Sequence, residues 1–99
     1  MPSKKYSIVR CSMGVFLGFI EPESTETTKV VSEAIRLWRW YGAASLSQLA
    51  MEGTSQPKDC KFGVPVTRIE LTSPTYGFEI LSASDKAVES ILSVKPWRA

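Results

Sequence analysis

The stretch IRLWRWYGAASLSQLA, residues 35–50, decides how this chain folds. Rings crowd its first half at Trp38, Trp40 and Tyr41, whereas small and polar residues fill its second, so one reading does not serve both halves. A single helix over 33–52 would carry Gly42 in its interior, at about 1 kcal/mol relative to Ala, behind a run of aromatic and branched residues. Ser45-Leu46-Ser47-Gln48 instead matches a capping box, in which the serine hydroxyl accepts from the Gln48 amide and the glutamine side chain reaches back to the serine amide. Such a box begins a helix. The stretch therefore reads as a strand from Ile35 to Tyr41, a turn at Gly42-Ala43, and a short helix from Leu46 to about Met51 that stops at Gly53. The continuous helix is the alternative, because short apolar runs are ambiguous by period alone. Alternation along the strand sends Ile35, Leu37, Arg39 and Tyr41 to one face and Arg36, Trp38 and Trp40 to the other.

Upstream, Tyr6 and Ile8, then Val15, Leu17 and Phe19, alternate on either side of Ser12-Met13-Gly14, which predicts a β-hairpin. Gly14 and Gly18 suit a positive φ or a close backbone approach; a bulge in a curved sheet is the simpler account. EPESTETT is an exposed loop, and the next strand begins near Lys29-Val30-Val31. Downstream, TSQPKDCKFG is a polar loop. Val64 to Thr72 and Tyr76 to Leu81 read as strands joined around Ser73-Pro74-Thr75 into a second hairpin, with Pro65 at a strand start or an exposed edge. Ser82 or Ser84 caps a last helix whose Ala87, Val88, Ile91 and Leu92 make one apolar stripe, ending near Val94. Trp97 follows in a tail, placed to fold back on the core or to meet a neighbouring subunit. The expected fold is α+β: one domain over 1–99, with a small twisted antiparallel sheet of about five strands, open or rolled toward a barrel, and two helices.

The 99-residue length allows one modest core, and apolar residues that cannot all be buried in it predict a homo-oligomer. The net charge of +2 comes without the Lys/Arg runs of a dedicated duplex-DNA binder. The absence of histidine removes Ser-His and Cys-His catalysis and histidine-ligated zinc. Cys11 and Cys60 lack CxxC spacing and read as reduced core thiols. MPSKKYSIVR has no apolar leader and no run is long enough for a membrane span, so a soluble protein without membrane association is expected.

The segments RLWRWYGAASLSQLAMEG, CKFGVPVTRIELT and EILSASDKAVESILSVKPWRA together resemble a family of small uncharacterised proteins encoded by tailed bacteriophages and prophages. The pattern is Arg-x-Trp-x-Trp, then Gly-Ala-x-Ser-Leu-x-Gln-Leu-Ala, a Cys-Lys-Phe segment, Ile-x-Leu-Thr and a terminal Trp-x-Ala. The likeness runs from Val9 onward, and SPTYGF before EIL is a longer connection than the family pattern has. The resemblance implies a phage accessory protein acting in the host cytoplasm. It transfers no catalytic residue.

The candidate ligand-binding constellation is Arg36, Trp38, Arg39, Trp40 and Tyr41. Guanidinium groups pair with phosphates in bidentate fashion and indoles stack on nucleobases at about 1–3 kcal/mol per base, which suits a nucleotide or a single-stranded nucleic acid. Sequestration of a small nucleotide signal of host antiviral defence needs such affinity and no turnover. The other meaning of the same residues is a core or subunit interface with the arginines snorkelling to solvent. A virion component, or an inhibitor docking on a host protein, is the competing function. An enzyme is not expected: Asp85 and Glu89 read as a solvated helix pair near Glu79, Ser12 has no activating base, and Asp59 beside Cys60 lacks further ligands for a metal. Neither metal nor cofactor is implied.

Overall fold

The computed structural model describes residues 5–99; Met1 to Lys4, part of the stretch read as leaderless, lie outside the described residues. In chain order the elements are β1 (Ser7–Cys11), β2 (Gly14–Ile20), β3 (Thr28–Arg39), α1 (Leu46–Glu52), β4 (Lys61–Phe62), β5 (Val66–Thr72), β6 (Glu79–Ser82) and α2 (Asp85–Leu92). A 3-10 turn at Pro57–Asp59 precedes β4. The fold is α+β, with two helices and one open antiparallel sheet of six strands. Its spatial order is β6-β1-β2-β3; β5 pairs along the first part of β3 and β4 along its end.

β1 and β2 form the expected hairpin, closed where Cys11 faces Gly14 across a two-residue turn. Lys29-Val30-Val31 and Ile35 to Arg39, read separately in the sequence, are one strand of 12 residues. A bulge hides their continuity. The pairing of β2 with β3 slips by one residue between Leu17↔Ile35 and Phe19↔Ser32, and Glu33 takes a left-handed φ of 49° there. Opposite the bulge a Cβ on Gly18 would stand 2.5 Å from Val31 Cγ1 and 2.8 Å from the Ser32 carbonyl, so only glycine fits.

α1 begins where the capping box put it: Ser45 Oγ accepts from the Gln48 amide at 3.1 Å. The return arm differs, since Gln48 Oε1 accepts from the Ala44 amide at 2.7 Å rather than from Ser45. Gly53 ends the helix with φ 77°, close against Ser90 of α2. Ser84 caps α2, Ala87 and Ile91 within it and Val94 just beyond it are buried, and Leu92, predicted on that stripe, lies at its exposed margin.

Both sheet faces are apolar. On the helix side Ile8, Leu17, Ile35 and Leu37 pack with Leu49, Ala50, Phe62 and Ile91. Each of the leucine, isoleucine and phenylalanine side chains among them, removed from water, contributes about 1.5–3 kcal/mol. On the other side Val9, Phe16, Val31, Ala34 and Leu71 are buried without a helix over them. Curvature covers them. Beyond β5 the buried Ser73 meets the β1–β2 turn, with its Oγ 3.1 Å from Ser12 Oγ, and the Thr72 amide donates to Met13 Sδ at 3.3 Å.

That curl corrects the second hairpin. β5 and β6 do not pair; β5 lies on β3 and β6 on β1, at opposite edges of the sheet. A flat sheet would hold these edges about 19 Å apart. Residues 73–78, which include a turn, join them because the sheet bends back toward itself.

Candidate functional site

The second half of β3 keeps Ile35 and Leu37 in the core and leaves only its last residues, Trp38 and Arg39, exposed. Arg36 shares the concave face with Phe16 and Ala34, and is half-buried. Its guanidinium lies between two rings, 4.5 Å from the centroid of Phe16 and 4.9 Å from that of Trp38. Its Nη1 donates to the Met13 carbonyl at 3.2 Å. Cation–π contacts of this kind contribute about 0.5–2 kcal/mol each, so Arg36 is held in place rather than free to swing.

Trp38 is 58% exposed, and Trp97 meets it edge-on at 6.4 Å and 82°. Trp97 is itself 52% exposed, with Lys61 Nζ 4.8 Å from its ring. The tail reaches this place through its backbone: the Trp97 amide donates to the Phe62 carbonyl at 2.8 Å. Two indoles at right angles thus stand between two cations. No carboxylate lies within ion-pair distance of Arg36, Arg39 or Lys61 among the described residues. Arg39 and Lys61 face each other across β3 and β4, a like-charge cross-strand pair that raises the local potential for an anion.

Beside Trp38, Phe16, Ala34, Arg36, Val64 and Val66 join it in lining a cleft of about 210 Å³. Drug-sized ligands occupy roughly 300–1,000 Å³. The cleft has room for part of a ligand, and the rest would lie on the exposed rings. A larger hollow of about 650 Å³ lies by α2, but Asp85 and Glu89 line it and disfavour an anion.

Of the five residues singled out in the sequence, the structure joins Arg36 and Trp38 directly. Arg39 is exposed on the same strand beside Lys61. Trp40 does not share the face of Trp38: it packs, partly buried, against the helix-side core with Ile35 and Leu37. The reason is a second irregularity, between Leu37 and Arg39 in the pairing with β4, after which the strand ends and strict alternation lapses. Tyr41 is exposed, but its backbone is tied to the Cys60 loop, where its amide donates to Cys60 Sγ at 3.4 Å and its carbonyl accepts from Thr54 Oγ1. Among the described residues its ring makes no stacking contact with the indole pair, and it is no part of that corner.

Sequence reasoning left Trp97, Lys61 and Phe16 out of the site. The signal for Trp97 was in KPWRA, an indole set among basic residues as in RLWRW. Nothing local announced Phe16, a hairpin residue that becomes a wall only through pairing with Arg36. The carboxylates considered for catalysis stand elsewhere, Glu79 being paired with Arg10 at 2.8 Å. Among the described residues no group of three or more Cys, Asp or Glu side chains is placed to hold a metal, and no helix is long and apolar enough to cross a membrane.

Neither the curated proteins nor the solved structures contain a match to this chain. A family model does match, over residues 4–91, which is most of the chain. The protein is a member of the family described as domain of unknown function DUF6948.

Proposed function

We propose that the protein is a non-enzymatic binding protein that takes a small nucleotide at the corner formed by Trp38 and Trp97. The observation that carries this reading is the pair of perpendicular, half-exposed indoles with Arg36 on one flank and Lys61 on the other. A base stacked on one indole meets the edge of the second, while the guanidinium and ammonium groups neutralise phosphate. A chain without histidine lacks the commonest general base with which to turn such a ligand over. The likeness to phage and prophage proteins makes a nucleotide signal of host antiviral defence the ligand of choice, sequestered in the host cytoplasm.

Titration calorimetry with cyclic di- and oligonucleotides and cyclic ADP-ribose isomers tests the proposal. Heat is expected from at least one of them. Trp38→Ala should then weaken binding about 5- to 150-fold, the loss of one stacking contact, with the far-ultraviolet dichroism unchanged. Silence from every ligand, with tryptophan fluorescence unaltered, would defeat the reading.

Val64 and Val66, both exposed beside Trp38, favour a second reading in which the same patch docks on a protein, as a virion part or an inhibitor of a host factor. Mass spectrometry of purified particles separates the two: abundant copies in virions support the structural role.

A further inference from the structure

The free edge of β5 carries a pattern complementary to itself. β5 pairs only with β3 among the described residues. The Ser73 amide bonds the Thr27 carbonyl at 3.1 Å, which sets the odd-numbered residues of this strand to bond inward to β3. The amides and carbonyls of Val66, Arg68, Glu70 and Thr72 therefore point outward, and the Thr72 amide finds only the thioether of Met13. Arg68 and Glu70 are exposed and adjoin each other loosely, at 3.6 Å, with Glu23 a further 3.7 Å partner of Arg68.

We infer that a second copy of this chain docks antiparallel along β5, through a two-fold axis at Ile69, joining the two sheets into one. Only outward-facing residues can bond across such an edge, so they must oppose one another in pairs. Centring the axis on Ile69 sets Arg68 against the partner's Glu70, and Glu70 against the partner's Arg68. Centring it on Arg68 or on Glu70 sets like charges face to face, which is unfavourable. Among the registers that oppose outward-facing residues, only the one centred on Ile69 pairs opposite charges. In that register Ile69, partly buried on the concave face, meets its own copy as a close apolar pair at the axis. The Thr72 amide exchanges its weak sulfur acceptor for the carbonyl of Val66 in the other copy. Val66 also lines the cleft beside Trp38, so each end of the joined edge carries the rim of one cleft.

This inference is independent of the nucleotide reading. Sedimentation analysis of the purified chain over a wide concentration range should show a dimer. Arg68→Glu alone and Glu70→Arg alone each place like charges at two symmetric positions, and each should weaken the dimer about tenfold or more. The double variant R68E/E70R restores complementarity and should recover it, with unchanged dichroism throughout since both side chains are exposed. A monomer at every concentration overturns the inference. So does a dimer indifferent to the single substitutions, because its interface then lies elsewhere.

Discussion

At the scale of single residues, the decisive positions are those that let one backbone approach another. Gly18 faces the β3 bulge, and its substitution by alanine forces a carbon into the Val31 side chain and the Ser32 carbonyl. Backbone cannot yield as a flexible side chain does. Gly18→Ala should cost about 1–3 kcal/mol in urea unfolding, the usual range for overpacking, whereas Gly77→Ala, with open space at its Cβ, should lose only what its positive φ of 69° imposes. Equal losses at the two sites would refute the packing account. The glycine was legible in the sequence as a bulge position. Its partner Glu33, the residue that takes the left-handed turn, was not, because nothing in the local pattern SEAI distinguishes a bulged glutamate from an ordinary strand residue.

At the scale of elements, the boundary between β3 and α1 rests on a cap rather than on periodicity. Ser45 satisfies the Gln48 amide, and Gln48 in turn satisfies that of Ala44. With only 7 residues, α1 has no length from which to draw stability, so its caps and the burial of Leu49 and Ala50 hold it. Ser45→Ala should lower stability by about 1 kcal/mol, readable as a shifted denaturant midpoint with an unchanged slope. A result within error of wild type would mean that tertiary packing alone holds α1. The helix start was legible because capping is local. The failed second hairpin was not, since two strands separated by Ser73-Pro74-Thr75 look alike whether they pair with each other or with distant partners.

At the scale of the whole molecule, the chain is tied across its length at Tyr6 as well as at Ser73. The Tyr6 ring stacks on Phe19 at 4.0 Å, and its carbonyl accepts from the Ala83 amide at 3.1 Å ahead of α2. Burial, and after it the negative charge of Glu33, raises the pKa of Tyr6 above the ordinary tyrosine value. The sign of the linkage follows: the folded state holds this proton more tightly than the unfolded state. The stabilisation is therefore complete below the unfolded pKa of about 10 and is lost as pH rises through the higher folded value. Unfolding midpoints should fall on the alkaline side of about pH 10 more steeply in the wild type than in Tyr6→Phe, which has no proton to lose there. Parallel curves would assign the alkaline loss to other groups.

By itself the sequence determined the α+β class, the first hairpin and the start of α1, and narrowed the cap of α2 to Ser82 or Ser84, because each depends on neighbours within a few residues. Only the tertiary structure decided which aromatics meet. A slip in the pairing with β4 turned Trp40 inward, and one backbone hydrogen bond to Phe62 carried Trp97 from the far end of the chain to the side of Trp38. Alternation along a strand states which residues share a face only while the register holds. Where a bulge breaks it, the energy of long-range packing, absent from any local window, makes the choice.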